Sequence, residues 1–269
     1  MKTQDLDILN SFINAPELKI HSEKYPFENF DFLAENIADG NFIFPKNLVL
    51  GMQAEACLEA SLKESKNYKL LAANLQINGE RETLGELDFI AKNLKTQKVV
   101  HIELACKFYL FDEAAGSTEE EKWIGPNRKD SLFDKLEKVR LKQFPLLQKT
   151  ATIQKLKALE VEMPTYQQLC LKAFLFLPKK MNRSTFANKY ADCIVGHWMK
   201  QIDFDEEDNT ALYAIPTKKE WLLPIQAIET WRTFSEVKEE IELQLQIKKS
   251  PLIYKKTPKK IERFFVVWW

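Results

Sequence analysis

The sequence has few of the features that assign a chain to a well-marked class of protein. Its 269 residues include 39 basic and 39 acidic ones, so no net charge attracts the chain to nucleic acid and any phosphate-binding surface must be local. No uncharged apolar run approaches the ~20 residues that cross a bilayer. The first residues do not form a basic region followed by an apolar one, which predicts that no signal peptide is present. We therefore expect a cytoplasmic protein that does not enter a membrane.

Glycine and cysteine are also used sparingly. The chain has only 7 glycines, and none of them forms a glycine-rich phosphate loop. The 4 cysteines are far apart, lie in apolar segments and lack CxxC spacing. A structural zinc site is therefore not expected, and reduced, buried thiols are. The cysteines are Cys57, Cys106, Cys170 and Cys193.

The chain does contain an ordered succession of helical and strand patterns. Their order predicts a helix, three strands, two helices and a further strand. The predicted elements are a helix at 47–65, a strand at 68–77, a hairpin at 84–110, helices at 130–144 and 149–160, and a strand at 168–177. Because the last strand returns after a helical crossover, we expect an α/β (α+β mixed) fold in which helices flank a mixed sheet.

These elements divide the chain into three predicted parts. Residues 1–46 form a leader that packs on the core, residues 47–178 form the core, and residues 179–269 form a smaller α+β lobe. Within the lobe, residues 225–247 are predicted to form one long helix. Between the core elements, residues 113–122 are predicted to form an acidic loop, and Trp123-Ile124-Gly125-Pro126-Asn127 to form a rigid turn.

The hairpin is the most informative segment. Its second strand alternates strictly, with Ile102 and Leu104 on one face and His101 and Glu103 on the other. If the turn is centred between residues 95 and 96, the residue numbers of antiparallel partners sum to 191. This register pairs apolar residues with apolar ones. The same register places Asp88 directly opposite Glu103.

Two carboxylates that face each other across a ladder repel, because their Cβ atoms lie roughly 4.5–5.5 Å apart. A proton or a cation between them removes the repulsion. Mg²⁺ is suitable because it binds one or two carboxylates together with water and phosphate oxygens. Two alternatives stay open from the strand geometry: an off-centre turn that leaves both carboxylates staggered and solvated, and a register shifted by two residues.

The acidic residues also carry a resemblance. A glutamate on a helix (Glu55), then Gly85-Glu86-Leu87-Asp88 at a strand start, then Glu103 in an apolar strand, resembles the PD-(D/E)XK nuclease superfamily. The predicted element order matches that superfamily's core apart from one extra helix. The segments GELDFI, HIELACKFYL, WIGPN followed by Asp130, and RFFVVWW are similar to a bacterial family of unknown function placed near these nucleases.

This resemblance implies a restriction-endonuclease-like core and a role for each acidic residue. By resemblance, Asp88 and Glu103 are the ligands of Mg²⁺ or Mn²⁺, and Glu55 completes the acidic cluster. The superfamily's lysine follows its strand carboxylate by two positions, where this chain has Ala105. Lys107 lies on the same face one pair further along the strand. It is either a displaced catalytic lysine or the ion-pair partner of Glu86.

Several other residues are candidate accessory groups. His101 on the acidic face either contacts the metal or substrate or is structural, and Glu86 either joins the acidic cluster or pairs with Lys107. The turn that resembles the family's segment draws attention to Asn127, Asp130 and Lys135 without specifying their roles.

Two functions follow from these residues. The first is a Mg²⁺-dependent nuclease that hydrolyses phosphodiester bonds of DNA with Asp88, Glu103, Glu55 and Lys107 as its catalytic residues. The second is a catalytically inactive PD-(D/E)XK-like module that binds nucleic acid or protein. Ala105 at the lysine position and the zero net charge favour the second. The sequence specifies no oligomeric state.

Overall fold

The computed structural model describes residues 3–32, 43–44, 48–186, 188–205 and 210–269. Within these residues it contains both α-helices and β-strands. The strands are β1 (Glu28–Asn29), β2 (Tyr68–Asn78), β3 (Thr83–Asn93), β4 (Val99–Phe111), β5 (Trp123–Ile124), β6 (Tyr166–Pro178), β7 (Ile194–Lys200), β8 (Leu212–Ala214), β9 (Leu252–Lys256) and β10 (Ile261–Val267). The α-helices are α1 (Thr3–Ile13), α2 (Leu50–Glu64), α3 (Glu119–Lys122), α4 (Leu132–Lys138), α5 (Phe144–Leu146), α6 (Thr150–Ala158), α7 (Asn188–Ala191), α8 (Gln201–Asp205) and α9 (Phe234–Gln246).

The chain forms two compact units. The first unit comprises Met1–Cys106 and Lys135–Lys172, and the second comprises Lys107–Asp134 and Ala173–Trp269. Strands β4 and β6 therefore contribute their first parts to one unit and their second parts to the other. The predicted division at residues 46 and 178 stays a prediction.

The first unit contains the predicted core order of helix, three strands, helices and strand. Strands β2, β3 and β4 form an antiparallel meander, the first part of β6 follows β4 in the sheet, and β1 pairs with β6 in parallel. Leu146, Leu147 and Leu156 of the helical segment pack with Ile77 and Leu87 of the meander. The predicted α/β fold class, a mixed sheet with flanking helices, is confirmed.

The second unit continues as a mixed sheet. Strand β7 runs parallel to both β6 and β10, whereas β9 is antiparallel to β10 and β8. Helix α9 covers this sheet because Val237, Ile241 and Leu245, at helical spacing, pack against Ile253 and Phe264. The predicted α+β character of this region is therefore present.

Helix boundaries account for three corrections to the sequence predictions. The predicted helix 225–247 is wrong at its start, since a capping box between Thr233 and Glu236 begins α9 at Phe234. Residues 225–227 form only a single 3₁₀ turn. The predicted acidic loop 113–122 contains α3, which a second capping box between Thr118 and Glu121 begins.

The third correction concerns the predicted helix 130–144. Helix α4 ends at Lys138 and is followed by a π-helical turn over Val139–Gln143, after which α5 begins. Pro145 lacks a backbone N–H and cannot continue the regular hydrogen-bond ladder, whereas the Phe144 N–H bonds to the Val139 carbonyl. No helix among the described residues combines the length and apolar character needed to span a bilayer.

Candidate metal centre

The β3–β4 ladder ends at the acidic residues. Its pairs run from Lys92–Val99 to Phe89–Ile102, which confirms the predicted register over this stretch. At the next position the Asp88 side chain takes part in the main-chain bonding, since its Oδ2 accepts the Leu104 N–H at 2.8 Å. Glu103 is fully buried (0% exposed), so the alternative of two solvated carboxylates is wrong.

Asp88 and Glu103 form a close pair inside the first unit. Each of the two carboxyl groups affects the pKa of the other, which places them close together. Burial, with the neighbouring Glu103 second, raises the pKa of Asp88 to about 7. Burial likewise raises the pKa of Glu103 to about 7, against the opposing effect of Lys135. A cation would relieve both effects, because it compensates the charge that burial disfavours.

Glu55 on α2 belongs to the same electrostatic environment. Its pKa is raised to about 7, first by burial and then by repulsion from Asp88 and Glu86. Glu86 itself is exposed at the start of β3. Glu55 thus lies within electrostatic range of Asp88 and Glu86, and its predicted place in a three-carboxylate cluster stays a prediction.

His101 holds one oxygen of Glu103. The Gln167 Nε2 donates one hydrogen to the Phe144 carbonyl and the other to His101 Nδ1, each over 2.9 Å. Since Nδ1 accepts, the proton of the neutral ring is on Nε2, which donates to Glu103 Oε1 over 2.9 Å. Burial lowers the pKa of His101 to about 4, so the ring stays neutral at pH 7. Its direct role is therefore to orient Glu103.

Gln143 holds the other oxygen of Glu103. Its Nε2 donates to Glu103 Oε2, and its Oε1 accepts from the Lys135 ammonium at 2.9 Å. Lys135 also lowers the pKa values of Glu55, Asp88 and Glu103 through its charge. Of the accessory residues predicted from sequence, Lys135 and His101 are therefore integral to the acidic cluster.

Close packing requires a glycine at position 85, in the GELD segment. Gly85 has φ 154°, a conformation that side-chain-bearing residues rarely adopt. A Cβ there would lie 2.8 Å from Leu146 Cδ2. The missing side chain lets α5 pack closely on the hairpin, and α5 directly follows the turn that carries Gln143.

Three other predicted residues lie in the second unit and have partners there. The Lys107 ammonium is 2.6 Å from the Asp130 carboxylate, so neither predicted role of Lys107, the displaced lysine or the partner of Glu86, matches its observed contact. Asn127 Oδ1 accepts the Ser250 N–H at 2.8 Å. Asp130 also explains why residue 125 is a glycine, because a Cβ at that position would lie 2.2 Å from Asp130 Oδ1.

The WIGPN turn therefore has a structural role within the second unit. The Pro126 carbonyl accepts from Ser250 Oγ at 2.7 Å and from Trp269 Nε1 at 3.1 Å. The Arg128 guanidinium lies 4.6 Å from the Trp269 ring centroid. Two of the segments that carry the family resemblance, WIGPN and RFFVVWW, thus contact each other directly.

The donor set determines which metal these residues could hold. Within the described parts of the chain, no group of three or more His, Cys, Asp and Glu side chains is arranged to hold a metal ion. Mg²⁺ does not need one, since one or two carboxylates with water and substrate oxygens suffice. Asp88 and Glu103 are the residues whose oxygens could take part in such a two-carboxylate site, and both Glu103 oxygens already accept hydrogen bonds, from His101 and Gln143.

Gln143 and Gln167 were not predicted from the sequence. Gln143 lies at the end of a pattern that resembles an ordinary amphipathic helix, and Gln167 precedes an apolar strand among other polar residues. The Phe-Pro pair after Gln143 was the one local feature that could have indicated an irregular turn. Nothing in the sequence indicated that either amide points toward a carboxylate or a histidine.

The chain belongs to a family described as a domain of unknown function (DUF1853), whose model matches residues 21–267. No curated protein and no solved structure matches the chain.

Proposed function

We propose that this member of the family is a Mg²⁺-dependent (or Mn²⁺-dependent) nuclease that hydrolyses phosphodiester bonds of DNA in the cytoplasm. The observation that carries the proposal is the buried Asp88–Glu103 pair, which lies beside Glu55 and the Lys135 ammonium in one unit. Buried carboxylates in mutual contact are unfavourable unless a cation or protons compensate them. The resemblance to the PD-(D/E)XK superfamily supports the same assignment.

Each residue has a defined task in this proposal. Asp88 and Glu103 would hold the divalent ion, which would lower the pKa of a water molecule and stabilise charge on the phosphoryl oxygens. Glu55, half-buried on α2, accepts the proton that the attacking water loses. His101 and Gln167 keep Glu103 in one orientation through their hydrogen bonds.

We propose Lys135, rather than the predicted Lys107, as the cation of this site. The Lys135 charge acts on all three carboxylates. Lys107, in contrast, donates to the Asp130 carboxylate. An ammonium beside the cluster would stabilise the negative charge that develops on the phosphate in the transition state.

The alternative is an inactive module that binds nucleic acid or protein. Ala105 at the usual lysine position favours it. The test is an assay of the purified protein with labelled single- and double-stranded DNA and RNA in Mg²⁺ or Mn²⁺, beside Asp88→Asn and Glu103→Gln. The nuclease proposal requires metal-dependent cleavage of DNA that both variants lose.

A matched pair of variants on α2 sharpens this assay. Glu55→Gln should lose activity, whereas Glu59→Gln removes a carboxylate four residues along the same helix that pairs with Lys63. Equal cleavage by the wild type, Asp88→Asn and Glu103→Gln would assign the activity to a contaminant or another site and overturn the proposal. Binding of DNA without cleavage would favour the inactive module.

A further inference from the structure

Positive charge is concentrated near the end of the sequence, although the chain as a whole has no net charge. Residues 248–263 include seven basic residues and one acidic residue, Glu262. The basic residues are Lys248, Lys249, Lys255, Lys256, Lys259, Lys260 and Arg263. The Glu262 carboxylate lies 2.8 Å from the Lys260 ammonium and offsets one of these charges. The segment is therefore a local source of positive potential, which attracts polyanions.

Strands β9 and β10 present part of this charge on a well-defined hairpin. Lys256 pairs with Ile261, and the turn between them carries Lys259. Thr257 closes the turn, because its N–H donates to the Lys260 carbonyl at 2.9 Å and its Oγ1 accepts the Lys260 N–H at 3.2 Å. Both Lys256 and Lys259 are exposed. The hairpin thus holds the backbone of two exposed lysines in fixed positions.

Exposed apolar side chains lie beside Lys256 on the same face of the sheet. Leu212 of β8 and Ile261 of β10 are its cross-strand partners, and paired residues point to the same face. These two side chains are 40% and 39% exposed. The Lys256 ammonium also lies 5.3 Å from the centroid of the Trp231 ring. This row therefore combines a cation with exposed apolar and half-buried aromatic groups.

Backbone pairing explains why Trp231 faces this row. Arg232 forms a bridge with Tyr213, in which its N–H donates to the Tyr213 carbonyl at 2.8 Å and its carbonyl accepts the Tyr213 N–H at 2.7 Å. Neighbouring residues of an extended segment point to opposite faces, so Trp231 shares the face of Leu212. Its Nε1 donates to the Ile228 carbonyl at 2.9 Å. The fold therefore fixes the ring independently of the lysine that lies over it.

We propose that the hairpin surface, formed by Leu212, Trp231, Lys256, Lys259 and Ile261, binds single-stranded DNA. All five residues belong to the second unit. The lysines suit the phosphate backbone. The apolar and aromatic side chains suit bases, which a single strand exposes and a duplex keeps stacked inside. The inference deepens the proposed nuclease function, on which it rests for the choice of DNA, because it assigns a substrate-binding surface.

Binding in EDTA tests the two charges without any cleavage. The affinity of the whole chain for a labelled oligothymidylate of about 20 nucleotides is measured by fluorescence anisotropy at several salt concentrations. The double variant Lys256→Gln, Lys259→Gln should bind roughly ten- to thirtyfold more weakly at about 0.1 M salt. The slope of log K against log salt should become shallower by about 1.4, because two phosphate contacts are lost. Lys256→Arg, Lys259→Arg keeps both charges and should bind like the wild type.

A matched control is available on another hairpin. Lys95→Gln, Lys98→Gln removes two exposed lysines with the same spacing from the turn between β3 and β4. It changes the net charge equally and should alter the affinity by no more than about twofold, since salt screens charges that do not contact the DNA. Thermal unfolding establishes that each variant is folded.

Trp231→Leu tests the choice of a single strand. Loss of the ring should weaken binding of the oligothymidylate about fivefold or more, and binding of a duplex of the same length by less. Trp231→Phe keeps an aromatic ring and replaces Trp231→Leu in this comparison if the latter fails to fold, with a smaller loss expected. A duplex that binds more tightly than the single strand, with an equal loss in Trp231→Leu, would overturn the assignment to a single strand.

The remaining outcomes separate this inference from the proposed function. Unchanged affinity and salt dependence in Lys256→Gln, Lys259→Gln would overturn the inference, as would an equal loss in the Lys95→Gln, Lys98→Gln control. Binding of vesicles rich in phosphatidylserine, without binding of the oligonucleotide, would also overturn it and assign the surface to a membrane. A wild type that binds the oligonucleotide through these lysines but cleaves no nucleic acid would refute only the proposed function.

Discussion

The two candidate lysines of this chain have different surroundings. Lys107 on β4 makes a direct ion pair of 2.6 Å with Asp130, and the two side chains are 35% and 40% exposed. Lys135 reaches the buried Glu103 through the amide of Gln143. Lys107 thus has a direct, partly exposed carboxylate partner, whereas the charge of Lys135 acts on the three carboxylates of the candidate site. The spacing of Lys107 from Glu103 along β4 does not predict these surroundings, and Lys135 lies on a helix, α4.

The largest expected effect separates the two lysines by activity. Lys135→Met should lower the rate of DNA cleavage in Mg²⁺ about 10²- to 10³-fold, because a cation aimed at the developing charge is lost. Lys107→Met should change this rate by no more than about twofold, since its charge is paired with Asp130. Single-turnover cleavage of a labelled duplex measures both. A large loss in Lys107→Met with none in Lys135→Met would reverse the comparison.

The next effect concerns the pH dependence of stability at the Lys135 site. Asp88, with a pKa of about 7 in the folded chain and about 4 when unfolded, binds more protons when folded. Its contribution to stability is therefore lost as the pH rises from about 4 to about 7, by roughly 2–4 kcal/mol. Asp88→Asn should avoid this loss, so in EDTA its free energy of unfolding relative to the wild type should rise between pH 5 and pH 8.

Urea unfolding of both proteins at the two pH values provides the measurement. His101, whose pKa is lowered to about 4, gives the opposite slope between about pH 4 and 6.5, and it does so in both proteins. The difference between the proteins therefore reports the titration of Asp88 together with its effect on the pKa values of Glu55 and His101. A difference that is the same at both pH values would show that Asp88 titrates normally.

A smaller effect tests the packing of Gly85 against Leu146, in the same unit as Lys135. Gly85→Ala should lower the free energy of unfolding by about 1–3 kcal/mol, since the new Cβ meets Leu146 and the backbone at φ 154° disfavours alanine. Gly51→Ala is the control, because no atom lies within 4 Å of its added Cβ. Equal stabilities of the two variants in chemical denaturation would remove the packing explanation of the GELD glycine.

The smallest effect is expected from loss of the ion pair between Lys107 and Asp130. Asp130→Asn should cost less than about 1 kcal/mol of stability, because an ion pair in which both side chains are over a third exposed contributes little. A double-mutant cycle with Lys107→Met measures the coupling between the two residues. A coupling well above 1 kcal/mol would mean that this pair is more than a surface contact.

The strands were predictable because their pattern is strong. Strict alternation in β4 and a polar turn near residues 95 and 96 were enough to give the register from Phe89–Ile102 to Lys92–Val99. The approximate positions of β2, β6, α2 and α6 followed from the same kind of periodicity. Asp88 and Glu103 could be singled out from the hairpin register, whereas Glu55 was indicated only by the family resemblance.

The other features of the candidate site could not be predicted, because they have no periodic pattern in the sequence. Burial of His101 and Glu103 was not predicted, because alternation assigns them to a polar face and cannot tell whether another element covers it. The π turn and Gln143 were missed because a single inserted residue leaves the apolar pattern of the helix nearly unchanged. The Lys107–Asp130 pair joins residues far apart in sequence, and strand spacing gives no information about it.

Binding of a divalent ion tests the central claim most directly. Titration of the metal-free wild type with Mn²⁺ at pH 7, followed by calorimetry, should reveal a site that is lost in Glu103→Gln and Asp88→Asn and is retained in Lys107→Met. It should also release protons, because carboxyl groups with pKa values of about 7 must ionise to bind the metal. Absence of Mn²⁺ binding in the wild type, or binding that survives both Asp88→Asn and Glu103→Gln, would contradict the claim that this acidic pair is a metal centre.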